Sequence, residues 1–168
     1  MNEIINKVSN SGLMTLDLED YYPSENRVQF DIKEFLFEEI FLKEKDFREK
    51  LKNHDWELYN NTYVAMVCSS DAILPSWAFM LITSYLQPYA KLIVLGDLKF
   101  LESSIYTRII ENIEVKEFEN KKVIIKGCSN KPIPENAYIQ LITKLKPVVS
   151  SLMFGEACST VPLYKKPK

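Results

Sequence analysis

Short apolar runs alternate with longer segments of helical spacing over the chain from Tyr63 onward. The four runs, at 63–68, 91–95, 122–126 and 150–154, are typical of strands buried on both faces of a sheet. Three helices are predicted between them, one beginning near Pro75 and the others at about 98–113 and 134–146. The sequence therefore predicts the α/β class, with a mainly parallel sheet of about four strands flanked by helices and joined by right-handed crossovers.

The chain before Tyr63 is less regular. Apolar and polar residues alternate at 14–18 and again at 28–32, which predicts two half-buried strands, and residues 43–53 have helical spacing. We expect the two strands to form an N-terminal antiparallel extension of the sheet. The stretch 31–42 has features of both helix and strand. Neither repeats nor linkers are evident, so a single domain over residues 1–168 is predicted.

Charge and hydropathy argue against two classes of function. The net charge of −2 at pH 7 does not suit an electrostatic nucleic-acid binder, which carries a basic excess. No apolar run approaches the roughly 20 residues that span a bilayer, and the start M-N-E-I-I-N-K lacks the pattern of a secretory signal. Three cysteines, an odd number, suit a reducing compartment better than a disulfide framework. We therefore expect a cytoplasmic protein with no nucleic-acid or membrane partner.

The three cysteines, Cys68, Cys128 and Cys158, share a local pattern, because each is followed by a serine and a few residues later by a proline. Each also lies at or just after the end of a predicted strand. Since the carboxyl ends of parallel strands meet at one edge of a sheet, we expect the three thiols to lie together. Thiolates with an imidazole or a carboxylate suit zinc or iron, including an iron–sulphur cluster. The pattern predicts a metal site with these cysteines as ligands and His54 or Asp71 as the fourth.

Two other functions fit the same residues. One is a thiol-dependent enzyme in which Cys128 or Cys158 is the nucleophile and His54 or Asp71 is the base. The other is a protein-interaction module whose thiols only pack, with an exposed apolar patch formed by the stretch F-L-F-E-E-I-F-L at 35–42. The sequence motifs of phosphate loops, dinucleotide-binding folds and serine hydrolases do not occur in the chain.

Six segments spread along the chain carry a resemblance to a known family. They are S-G-L-M-T-L-D-L-E-D-Y-Y-P (11–23), K-E-K-D-F-R-E (43–49), N-H-D-W (53–56), C-S-S-D-A-I-L-P-S-W-A (68–78), K-G-C-S-N-K-P-I-P (126–134) and G-E-A-C-S-T-V-P-L-Y-K (155–165). Over essentially its whole length the chain resembles the bacterial family catalogued as domain of unknown function 2480. The resemblance implies a context of iron–sulphur cluster assembly, because members are often encoded beside the genes for it. It therefore implies iron–sulphur assembly proteins as partners and carries over no site residues.

Overall fold

The computed structural model describes residues 12–127 and 130–167. The chain divides into two compact units: a central unit, Ser24–Ile105, and a flanking unit formed by the chain up to Pro23 and the chain from Tyr106 onward. Two compact units in one chain are not by themselves two domains, so the single-domain prediction stays a prediction. Among the described residues, no helix is long and apolar enough to cross a bilayer.

The described residues form seven strands and four α-helices. The strands are β1 (Leu13–Leu16), β2 (Arg27–Asp31), β3 (Tyr63–Val67), β4 (Leu92–Leu95), β5 (Lys122–Ile125), β6 (Ser151–Glu156) and β7 (Ser159–Lys165). The α-helices are α1 (Glu44–Asn53), α2 (Ser76–Leu86), α3 (Leu98–Asn112) and α4 (Glu135–Leu145). Short 3-10 helices lie at Leu18–Tyr21, Ile32–Phe35, Trp56–Tyr59 and Lys116–Phe118.

The central unit contains a parallel sheet with the strand order β2–β3–β4. Phe30 lies opposite Met66 in this sheet, and Met66 lies opposite Leu95. Helices α1 and α2 pack their apolar faces on it, because their apolar residues recur every three or four positions. The shared core includes Phe30, Phe47, Leu51, Val64, Met66, Ile82 and Leu86.

The flanking unit contains a four-stranded sheet with the order β1–β5–β6–β7. The first three strands are parallel, and β7 is antiparallel to β6. Ala157 and Cys158 form the two-residue turn between β6 and β7, the short connection that only antiparallel strands permit. The core of this unit includes Leu16, Leu18, Tyr106, Val123, Ile125, Leu141, Leu145 and Leu152.

The α/β class is confirmed, with every buried strand and helix predicted after Tyr63 present, but the pairing of the strands needs correction. The N-terminal strands are not an antiparallel extension, since β1 pairs in parallel with β5 and β2 in parallel with β3. The four buried strands divide between two sheets instead of forming one. Alternating residues indicate that a strand is half buried, yet they do not say which strand lies beside it. The antiparallel strand is β7, whose mostly exposed residues gave no buried-strand pattern.

The two units repeat one order of elements, although no repeat is evident in the sequence. Each contains a strand, a 3-10 helix, an α-helix, a second 3-10 helix, a strand, an α-helix and a strand, and the flanking unit then adds β7. The first α-helix of the flanking unit is the part of α3 from Tyr106 to Asn112, and the earlier part of α3 belongs to the central unit. Helices α2 and α4 have 11 residues each and begin 59 residues apart, at Ser76 and Glu135. Strands β3 and β5 begin at the same spacing, at Tyr63 and Lys122.

Details of the backbone repeat as well. Asn61 and Asn120 both adopt positive φ, 57° and 58°. The Asn61 N–H donates to the Tyr89 carbonyl at 2.9 Å, and the Asn120 N–H donates to the Val148 carbonyl at 2.8 Å. The repeat is interleaved along the chain, because β1 of the flanking unit precedes the whole central unit.

Candidate functional site

The predicted metal ligands are distributed over both units. His54, Cys68 and Asp71 belong to the central unit, Cys158 belongs to the flanking unit, and Cys128 lies outside the described residues. In the part of the chain that the structure describes, no three histidine, cysteine or carboxylate side chains form a group that could hold a metal ion. The five-residue site stays a prediction, but the shared sheet edge on which it was based is replaced by one edge in each unit.

Cys68 directly follows β3, at the carboxyl edge of the central sheet. Its half-buried Sγ lies 3.4 Å from the Ser70 Oγ and donates to the Ser70 carbonyl oxygen at 3.7 Å. Asp31, at the end of the neighbouring β2, accepts hydrogen bonds from the Ser69 N–H at 3.1 Å and from the Ser69 hydroxyl. Burial alone would raise the pKa of Asp31, but these hydrogen bonds and one from the Lys33 N–H lower it below its usual value. The ionised Asp31 therefore fixes the loop that carries Cys68.

Asp71 follows this loop and lies on a surface groove of the central unit, beside apolar side chains that include Ile73 and Trp77. Cys68 does not line that groove. The structure therefore gives Asp71 apolar neighbours, and no described contact joins it to the Cys68 thiol.

His54 ends α1 and packs within an aromatic cluster. Its ring centroid lies 5.1 Å from that of Phe35 and 4.8 Å from that of Trp56, both edge-on. Its Nε2 lies 3.0 Å from the Tyr59 hydroxyl. Burial lowers the pKa of His54 below its ordinary value of 6.5, although the nearby carboxylates of Asp55 and Glu34 oppose that shift. His54 is thus a neutral imidazole with one ring nitrogen already bonded, which leaves only Nδ1 for a metal ion.

The carboxyl edge of the flanking sheet carries several charged groups. Lys126, the first residue after β5, places its Nζ 3.0 Å from the Asp17 Oδ2. The hydrogen bond to Asp17 and then the negative charges of Asp17, Glu156 and Asp20 raise the pKa of Lys126. Three carboxylates therefore lie close enough to this one ammonium group to stabilise its charge.

A second carboxylate contact anchors the loop that follows Lys126. The backbone N–H of Asn130 donates to the Glu19 Oε2 at 3.1 Å. Asp17 and Glu19 thus contact Lys126 and Asn130, which lie on either side of Cys128 in the sequence. In the central unit, Asp31 contacts Ser69, the residue after Cys68. Both Asp17 and Asp31 also cap a 3-10 helix, accepting from Glu19 N and Lys33 N.

Two glycines shape the backbone at this edge. A Cβ on Gly127, the residue before Cys128, would lie 2.8 Å from the Phe154 ring, so the β5 chain runs directly against β6 here. A Cβ on Gly155 would lie 2.5 Å from the Ser159 carbonyl oxygen, and Gly155 has a φ of +125°. Only glycine suits that position. The exposed Cys158 lies in the turn that this glycine permits.

Sequence reasoning did not identify the acidic residues at these edges, Asp17, Glu19, Asp31 and Glu156. One signal was available for two of them. Asp17 and Asp31 each stand between two apolar residues at the end of an N-terminal strand, in the segments T-L-D-L and Q-F-D-I. An aspartate at the same place in two strands indicates a shared capping role, but only the fold reveals which loop each one holds.

Comparison with curated proteins and with solved structures finds no match to the chain. A family model with the description "Protein of unknown function (DUF2480)" matches residues 2–166. The match spans the loops of all three cysteines and both compact units. It confirms the resemblance found in the sequence, and the chain belongs to the DUF2480 family.

Proposed function

We propose that this protein is a cytoplasmic metal-binding protein whose site lies at the carboxyl edge of the flanking sheet, with Cys128 and Cys158 as thiolate ligands. One observation carries the proposal: β5 and β6 are adjacent parallel strands, with Ile125 opposite Phe154, and the chain continues to a cysteine beyond each. Adjacent parallel strands end at the same edge, where ligands of such sheets bind. The metal in this proposal is zinc or iron, including an iron–sulphur cluster.

The charges at this edge support a cationic ligand. The negative charges of Asp17, Asp20 and Glu156 all raise the pKa of the Lys126 ammonium group, so more than one carboxylate lies near this single cation. Zinc and iron accept both sulphur and oxygen ligands. Two thiolates with two of these carboxylates would complete a four-ligand shell within the flanking unit.

The other predicted ligands, Cys68, His54 and Asp71, are not the main metal ligands in this proposal. The Cys68 thiol donates within its own loop, to Ser70, and the Nε2 of His54 is bonded to Tyr59. Asp71 lines a largely apolar groove. To bind a metal ion, each of these three residues would have to give up its present contacts or leave its present position. Cys68 is therefore a matched control, because it is a thiol in the corresponding loop of the repeated unit.

The biological role in this proposal comes from the family and not from the geometry. The genomic context that the family resemblance implies leads to the proposal that the protein assists iron–sulphur cluster assembly or repair, with assembly proteins as its partners. The cytoplasmic location belongs to the same proposal, since free or metal-bound thiols persist in a reducing compartment.

The test is elemental analysis and a visible absorption spectrum on protein purified without oxygen and without a metal-affinity tag. We expect about one zinc per chain without colour, or iron with a brown chromophore. Cys128→Ser and Cys158→Ser should each lose most of the metal, whereas Cys68→Ser should keep it. Full metal content in both of the first two variants would overturn the proposal. Equal loss in all three would restore the original three-thiol site.

The same variants distinguish the metal-binding proposal from the alternative of a thiol-dependent enzyme. It predicts that metal-free wild-type protein has one cysteine that reacts quickly with iodoacetamide, and that this reactivity is lost in Cys128→Ser or Cys158→Ser. Uniformly slow labelling of the three thiols would exclude this alternative.

A further inference from the structure

A strained hairpin projects from the central unit between the 3-10 helix Ile32–Phe35 and α1. Phe37 and Phe41 close it with two backbone hydrogen bonds of 2.8 and 2.9 Å. The two residues at its tip, Glu38 and Glu39, adopt φ of 49° and 61°. This turn geometry favours asparagine and glycine, because a Cβ at positive φ approaches the neighbouring carbonyl group. Strain of this kind in consecutive residues is typical of functional segments.

Large apolar side chains of the hairpin and of the loop before α2 are exposed to solvent. Phe41 is 57% exposed and Ile40 is 51% exposed, and Ile73, from the loop before α2, is 96% exposed. Ile40, Phe41, Ile73 and Trp77 line one groove of about 560 Å³. A contiguous apolar surface of this kind marks an interaction site more often than single exposed residues do.

The charged groups that line the groove are acidic. They are Glu44 and Asp71. Glu44 is already paired with Arg48 at 2.9 Å, but Asp71 forms no salt bridge within the described part of the chain. The nearby cation Lys43 lies over the Phe37 ring, with its Nζ 2.9 Å from the ring centroid. The charge left without compensation in the groove is therefore the negative charge of Asp71.

We propose that this groove binds a segment of another protein that inserts an apolar side chain between Phe41 and Ile73 and presents a lysine or arginine to Asp71. The apolar walls supply most of the affinity, since a few well-packed and desolvated side chains carry most of the binding energy of an interface. The carboxylate supplies the preference for a basic partner, because an unpaired charge at an interface selects its opposite. The groove lies wholly in the central unit, so this inference is independent of the proposed metal site.

The test uses fluorescein-labelled peptides in pairs with one apolar core, either Leu-Leu or Phe-Phe, flanked on both sides by two lysines or by two glutamates. Fluorescence anisotropy measures binding to the full chain. We expect the lysine peptide of a pair to bind at least about 10-fold tighter than its glutamate counterpart. Asp71→Asn should remove most of that preference. Ile73→Ser should weaken the lysine peptide about 10-fold, and Ile73 is so exposed that its replacement leaves the fold intact.

Met80→Ser is the matched control, because Met80 is 70% exposed on α2 and does not line the groove. It should leave binding unchanged. The proposal is overturned if no peptide binds, if lysine and glutamate peptides bind equally, or if Ile73→Ser and Met80→Ser have the same effect. A wild-type dimer that Ile73→Ser converts to a monomer in sedimentation would also overturn it, since the occupant would then be a second copy of the chain.

Discussion

Arg27 and Glu102 form a two-pronged ion pair that joins the start of β2 to α3 within the central unit. The Arg27 Nε donates to the Glu102 Oε2 and the Nη2 donates to the Oε1, both at 2.9 Å. Their side chains are only 15% and 13% exposed. The Arg27 guanidinium also lies 5.5 Å from the Tyr63 ring centroid. Paired geometry and limited exposure distinguish this contact from the other ion pairs of the unit.

Replacement of Glu102 by glutamine should lower the free energy of unfolding by about 1–2 kcal/mol, because Arg27 would keep its charge and lose one of the two carboxylate oxygens of Glu102 as an acceptor. Urea denaturation measures the change. The control is Glu44→Gln, which removes the exposed pair with Arg48 and should cost no more than about 0.5 kcal/mol. Equal effects of the two substitutions would contradict the structural role assigned to the Arg27–Glu102 pair.

The burial of His54 within its aromatic cluster predicts a dependence of stability on pH. The folded-state pKa of His54 is lowered by burial, so below pH 6.5 the unfolded chain binds a proton that the folded chain resists. This contribution to stability should therefore be complete at about pH 7.5 and be lost as the pH falls through 6.5 towards about 5.5. Urea midpoints at both pH values measure the decline. In His54→Phe, which keeps an aromatic ring in the cluster, the decline should be smaller, and an unchanged decline would show that other groups cause it.

The local elements could be predicted from the sequence because their signals lie within a few residues. The apolar run at 63–68 became β3, and α2 begins at Ser76, directly after Pro75. An exposed apolar patch in F-L-F-E-E-I-F-L could be predicted only in part, because Phe37, Ile40 and Phe41 are exposed but Phe35 and Leu36 are buried. Its hairpin could not, because Glu38 and Glu39 are poor residues for that turn.

Strand partners and the internal repeat could not be predicted, because both depend on contacts between residues far apart in sequence. The repeat conserves burial more than residue identity. Ile82 in α2 corresponds to Leu141 in α4, and both are fully buried. The position of β1 before the central unit further conceals the repeat. The first strands of the two units, β1 and β2, are only 14 residues apart, as the spacing of Asp17 and Asp31 shows, whereas the later corresponding elements are 59 residues apart. The sequence therefore predicts one shared edge for the thiols, although they follow strands of two sheets.

The hairpin tip offers a prediction about strain. The double substitution Glu38→Asn with Glu39→Gly supplies the residues that this turn favours and should raise the free energy of unfolding by about 1–2 kcal/mol. Glu38→Gln with Glu39→Gln is the control, because it removes the same charges, including the exposed contact of Glu39 with Lys33, without relieving the backbone. It should change stability by less than about 0.5 kcal/mol. A gain in the control as large as in the test variant would assign the effect to charge.

The turn that carries Cys158 depends on Gly155. Gly155→Ala should lower the free energy of unfolding by about 2–4 kcal/mol, because the new Cβ would meet the Ser159 carbonyl oxygen at 2.5 Å while the backbone holds a φ of +125°. Gly12→Ala is the control, since Gly12 also has positive φ, +64°, but no atom lies within 4 Å of its Cβ position. That substitution should cost only about 1–2 kcal/mol. Equal urea midpoints for the two variants would contradict the prediction that the close approach of β6 and β7 requires glycine at this turn. The turn would then be no evidence for a fixed position of Cys158 in the proposed metal site.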